Sequence, residues 1–114
     1  MLEKDKVILE KIIKYSDKIF DLLKKFNSSK EVYLKEEMYQ LSTDMCVYQI
    51  GELSIHVSED FKLKNLNIPW AEMRGMRNIH AHEYDNVNRE EMWYTLVNDI
   101  PDLKNKILKL LENK

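Results

Sequence analysis

One run in the third predicted helix, Arg77-Asn78-Ile79-His80-Ala81-His82-Glu83-Tyr84, gathers an arginine, an amide, two histidines and a tyrosine. The chain has only three arginines, Arg74, Arg77 and Arg89, and all lie in or beside this run. No lysine falls between Lys64 and Lys104. Arginine offers a planar, permanently charged fork that matches phosphate and carboxylate, and lysine does not replace it there. Histidine is the side chain that titrates near neutral pH. Phosphate-directed acid/base chemistry is the first hypothesis these residues raise.

On an ideal helix at about 100° per residue, Met73, Met76 and Ile79 share the core side. Arg74, Arg77, Asn78, Ala81 and His82 occupy a polar sector roughly 140° wide on the other. Arg74, Asn78 and His82 form a row at four-residue steps, and Tyr84 lies near the edge that carries Arg77. Arg77 and His82 are themselves about 140° apart. A frayed helix end at His82 would narrow that gap, and so would two copies of the helix facing each other across a two-fold axis. His80 points to the packing side, which makes it a buried or edge histidine rather than a second catalytic one.

RNA cleavage needs few parts. A base takes the ribose 2′-OH proton, an acid protonates the leaving 5′-oxygen, and a cation stabilises the phosphoryl charge. His82 suits the first two roles, and Arg77 suits the phosphate clamp. Such a mechanism requires no metal or cofactor. The His80, His82, Glu83 and Asp85 cluster lacks the four-residue spacing that puts two ligands on one helical face, so no metal site is expected.

These residues need a helical scaffold, and the composition supplies one. The 114 residues include two glycines and two prolines, too few turn signals for an all-β fold. The length suits one domain over residues 1–114. The net charge of -2 disfavours a broad electrostatic interface with nucleic acid but leaves room for a small arginine-lined groove. A single cysteine, Cys46, excludes an intramolecular disulfide and reads as a buried thiol. No apolar run reaches signal-peptide or membrane-span length, so a cytoplasmic location is expected.

Four helices follow from the periodicity. The first covers about Glu3 to Phe26, with Ile8, Ile12, Tyr15, Ile19, Leu22 and Phe26 as its stripe and Val7, Ile13, Phe20 and Leu23 widening it. Asn27-Ser28-Ser29 supplies N-cap candidates for a second helix from Lys30 to about Glu59. Tyr33/Leu34, Met38, Leu41, Met45, Tyr48, Glu52 and Ile55 trace one of its faces, and Cys46 to Leu53 suggests deep burial. Gly51 inside this helix costs up to ~1 kcal/mol against alanine, which points to close approach by a neighbouring helix. A loop spans Asp60 to Asn67, and Pro69 opens the third helix. Asn88 caps the fourth, which runs to the C-terminus and is kinked where Pro101 removes a backbone bond. The expected fold is an all-α antiparallel four-helix up-and-down bundle.

Arg77, His82 and Tyr84, spaced as Arg-x4-His-x-Tyr, resemble the signature of HEPN-domain proteins of the HepT toxin type. Gln49-Ile50-Gly51-Glu52, Ile68-Pro69-Trp70 and Met76-Arg77-Asn78 resemble the same family in pattern and order. The resemblance implies a dimeric, metal-independent ribonuclease toxin with Arg77 and His82 catalytic and Asn78, Glu52 and Arg74 in support. It further implies a minimal nucleotidyltransferase (MNT) antitoxin that silences the toxin by transferring AMP to Tyr84. A catalytically silent bundle that only binds a nucleotidyltransferase or a nucleotide is the alternative, and it would require the groove to be closed by packing.

Overall fold

In a computed structural model, described over residues 1–112, every regular element is a helix. They are α1 (Glu3–Lys25), α2 (Lys30–Lys35), α3 (Glu37–Ile55), α4 (Glu59–Lys64), α5 (Trp70–His82), α6 (Arg89–Tyr94) and α7 (Ile100–Glu112). A 3-10 turn, Tyr84–Asn86, follows α5, and a π-helical segment, Thr95–Asp99, joins α6 to α7. Helix α3 is central: it packs on α1 and on α5, while α7 packs on α1.

The core is continuous through these helices. Ile8, Leu9, Ile12, Ile19 and Leu23 of α1 are buried, as are Cys46, Val47 and Ile50 of α3 and Leu96, Ile100, Leu103 and Ile107 towards the C-terminus. Each fully buried aliphatic side chain contributes roughly 1.5–3 kcal/mol, so these interlocking stripes dominate the stability. Local caps set the boundaries. Ser29 Oγ accepts from the Val32 amide at 3.2 Å, and Asn88 Oδ1 accepts from the Glu91 amide at 3.1 Å.

The expected second helix is two helices. Glu36 adopts an extended conformation between α2 and α3. Tyr33 and Tyr39, six residues apart, would sit about 120° apart on a straight helix. The break brings both rings into one cluster, where each is fully buried. Tyr39 stacks on Phe26 at 4.2 Å and meets Tyr33 edge-on at 5.3 Å. The Gln40 side-chain amide donates to the Tyr33 carbonyl at 2.8 Å, which repairs one backbone group near the break.

Two further expectations are corrected. The Asp60–Asn67 loop begins with the short α4, whose first turn is tied down when the Ser58 amide and hydroxyl donate to buried Asp5 at 2.9 and 3.1 Å. The face traced by Leu34, Met38, Leu41 and Met45 is the outer one: Met38 is 70% exposed and Met45 is 58% exposed. The inward face of α3 is instead Tyr39, Thr43, Cys46, Val47, Ile50 and Ser54. Phe20, read as widening the stripe of α1, is exposed as well. At Pro101, the irregularity lies just upstream as the π-helical segment, a register change that accommodates the missing amide.

Candidate active site on helices α3 and α5

Gly51 sets the spacing of the two helices that carry the site. A Cβ there would lie 2.5 Å from Arg77 Cβ and 2.8 Å from the Met73 carbonyl oxygen. Only glycine permits this approach. It brings Arg77, in the middle of α5, against Glu52, the residue after Gly51.

Arg77 Nε donates to Glu52 Oε1, and Arg77 Nη1 donates to Asn78 Oδ1 at 3.0 Å. The Glu52 hydrogen bond raises the Arg77 pKa above its already high ordinary value, so the guanidinium stays charged. The carboxylate holds the side chain by its Nε edge and fixes the direction of the fork. Arg74 and His82 are exposed on the same helix. No hydrogen bond joins Arg77 to His82 among the described residues, and His82 lies at the last position of α5.

Tyr84 lies beyond α5, in the 3-10 turn, and its hydroxyl is tied back to α3. It donates to Asp44 Oδ2 at 2.8 Å and accepts from Arg89 Nη2 at 3.2 Å. The Arg89 guanidinium lies 5.7 Å from the Tyr84 ring centroid, within cation–π range. Burial, then the hydrogen bond to the Asp44 carboxylate, raises the phenol's pKa.

Asp44 is the hub of this network. Arg89 grips it with both nitrogens of its fork, Nη1 to Oδ1 at 2.7 Å and Nη2 to Oδ2 at 2.9 Å. His80 Nε2 lies 3.2 Å from Oδ1, and His80 Nδ1 lies 3.0 Å from the Met76 carbonyl oxygen. The carboxylate and the backbone carbonyl can both only accept, so each ring nitrogen of His80 faces an acceptor. Burial works to raise the Asp44 pKa, but the hydrogen bonds from His80, Arg89 and Tyr84 outweigh it and hold the carboxyl at about 2. Arg89 also donates to the Tyr33 hydroxyl at 3.0 Å, which extends the network to α2.

The structure thus joins Arg77, Asn78 and Glu52 in one contact set and Tyr84 in another. Arg74 and His82 stand on the exposed surface of α5. His80 faces inward as its helical angle implied, and its side chain is 3% exposed; Asp44, and its pairing with His80 and Arg89, lie outside what the sequence singled out. Asp44 had one signal, an acidic residue between apolar stretches of a helix. Its partners lie 36 to 45 positions away, which helical periodicity does not connect.

An open depression beside the network is lined by Leu41, Asp44, Met45, Tyr48, His80, Ala81 and Tyr84. A separate groove of about 260 Å³, bordered by Gly51, Glu72, Asp99 and Lys106, contains none of the candidate residues. Among the described residues, no group of three or more His, Cys, Asp or Glu side chains is placed to hold a metal ion. No helix in the described chain is long and apolar enough to cross a membrane.

Comparison with known proteins identifies the lineage. The family profile described as "Ribonuclease HepT-like" matches residues 9–110. This chain belongs to the HepT-like ribonuclease family. "Probable ribonuclease HepT" of Thermococcus cleftensis is 38% identical over 80 residues, covering 70% of this chain and 73% of that protein. "Putative RNase MJ1216" of Methanocaldococcus jannaschii is 30% identical over 112 residues, covering 96% of this chain and 91% of the relative. "Putative RNase MJ1380" of the same organism is 26% identical over 102 residues, covering 90% and 92%. No solved structure matches. The HepT-like match spans both α3 and α5, so the Gly51–Arg77 contact and the Asp44–Tyr84 contact both fall inside it.

Proposed function

We propose that this chain is an endoribonuclease toxin that cleaves RNA without a metal, in a cleft formed between two copies. Arg77 and His82 do the chemistry. The ribose 2′-OH attacks the adjacent phosphorus, one His82 imidazole takes its proton, and the other His82 protonates the departing 5′-oxygen. Arg77 neutralises the charge that builds on the phosphoryl oxygens. Asn78 and Glu52 orient Arg77, and Arg74 offers a further positive charge along the RNA.

The observation that carries this reading is the treatment of Arg77. Glu52 holds it by one edge while the same face of α5 presents Arg74, Asn78 and His82 exposed. A purely structural ion pair would not need an open polar row beside it. The dimer is supported by the exposed apolar residues of α3. Exposed Met38, Leu41 and Met45 and half-buried Tyr48 recur at alternating three- and four-residue steps, the spacing of a helix seam that meets a second helix. This seam adjoins Ala81 and Tyr84, so pairing along it would bring two α5 helices near each other.

The regulatory partner in this reading is a minimal nucleotidyltransferase antitoxin that transfers AMP to Tyr84. The tyrosine is 39% exposed and borders the depression beside α5. An adenylate there adds bulk and a negative phosphodiester, and both oppose RNA binding.

The test is RNA cleavage by the purified chain in the presence of a chelator, alongside growth on expression. His82→Ala is expected to abolish both cleavage and growth arrest. Retention of either at the wild-type level overturns the catalytic assignment.

A further inference from the structure

Asp44 is a buried carboxylate, 4% exposed, on which α5, the 3-10 turn and α6 converge through His80, Tyr84 and Arg89. The cleavage chemistry does not use it. An Asp44–Arg89 ion pair is already complete in its two-pronged form, and inclusion of a tyrosine hydroxyl adds nothing that pair requires. Yet Tyr84 reaches from a partly exposed position to place its hydroxyl between the two charges. One end of the network is therefore enclosed, and the other opens on the depression bordered by Leu41, Met45 and Tyr48.

The geometry at the phenol oxygen is specific. Its hydrogen is directed at Asp44 Oδ2, and one lone pair is taken by Arg89 Nη2. A phenol oxygen has a second lone pair, and no residue of the network claims it. This is the arrangement of a hydroxyl set up to attack, with a proton acceptor already in contact.

We propose that Asp44 accepts the Tyr84 proton as that hydroxyl attacks a nucleoside triphosphate, and that Arg89 is the positioning residue for both groups. The inference rests on the reading of Tyr84 as the AMP acceptor. In the step, Tyr84 Oη forms a bond to the α-phosphorus of ATP. The bond from that phosphorus to the bridging oxygen breaks, and pyrophosphate leaves with the electron pair. The phenolic proton passes to Asp44 Oδ2 as the oxygen becomes acidic on bonding to phosphorus, and is afterwards lost to water. The groups facing Asp44 are His80 from α5, Tyr84 from the turn and Arg89 from α6, with Tyr33 of α2 reached through Arg89. The depressed Asp44 pKa keeps the acceptor ionised across the neutral to alkaline range.

The experiment follows AMP incorporation by intact mass, with the full chain, a purified minimal nucleotidyltransferase and magnesium ATP, across the neutral to alkaline range. Asp44→Asn is expected to slow transfer by about 10²-fold or more near neutrality. The ratio of variant to wild-type rate should climb with pH, because solvent base replaces the lost acceptor. Taking the ratio cancels titrations in the partner. A variant that transfers at the wild-type rate, or slows by the same factor at every pH, overturns the proposal. If Asp44→Asn fails to fold, single-turnover transfer to the wild type in deuterium oxide decides: slower transfer is expected, and an unchanged rate overturns the proposal. Tyr84→Phe distinguishes the underlying reading. A mass gain in that variant, or no gain in the wild type, overturns Tyr84 as acceptor.

Discussion

Gly51 and Arg77 touch so closely that a single methyl group at Gly51 would fall 2.5 Å from Arg77 Cβ. The contact sets the distance between α3 and α5 and delivers Arg77 to Glu52. Close helix approach and the Arg77 anchor therefore depend on the same residue.

Gly51→Ala should separate the two. Overpacking of this kind costs about 1–3 kcal/mol, more than the gain of up to ~1 kcal/mol from alanine's helix propensity. A lower melting temperature and weakened RNA cleavage are expected together. Gly75→Ala is the control, because a Cβ there meets nothing within 4 Å. It should raise the melting temperature, and a drop of the size seen for Gly51→Ala would mean that packing is not the cause.

Asp44 predicts an acid limb in stability. Its folded pKa of about 2 lies below its ordinary value of 3.8. A depressed carboxylate stabilises the fold above its unfolded pKa and loses that contribution as pH falls through its folded pKa. The shift corresponds to about 2 kcal/mol, present at neutral pH and lost between about pH 4 and about pH 2. Urea unfolding across that interval should show the loss in the wild type, and Asp44→Asn should flatten it.

The exposed seam of α3 is the place to test assembly. Met45→Glu puts a charge at a position 58% exposed in the isolated chain, so folding should be little affected. Sedimentation should shift from dimer to monomer, and RNA cleavage should fall with it. An unchanged dimer would place the interface elsewhere.

Tyr39 carries a buried hydroxyl with no hydrogen-bond partner among the described residues. Burial pushes its pKa up to about 12. An unsatisfied buried donor costs about 1–3 kcal/mol, while the ring stacking on Phe26 does not use the hydroxyl. Tyr39→Phe is expected to raise stability by about 1 kcal/mol in thermal or urea unfolding. A loss of stability would indicate an unseen partner for the hydroxyl.

The sequence by itself determined the helical class, the cap at Asn88, a second cap within Asn27-Ser28-Ser29, and the close approach at Gly51. Each of these depends on local chemistry that one chain displays directly. It did not determine the break at Glu36, because no proline or glycine marks it. The break exists to seat Tyr33 and Tyr39 in one cluster, and that benefit appears only once α1 supplies Phe26. Periodicity placed Met38 and Met45 on one apolar face but could not say whether that face is buried, since an apolar stripe reads the same whether its partner is within the chain or outside it. Only the tertiary structure brought Asp44 of α3 to Tyr84 and Arg89, because a buried charge finds its counter-charges by folding, from helices far apart in sequence.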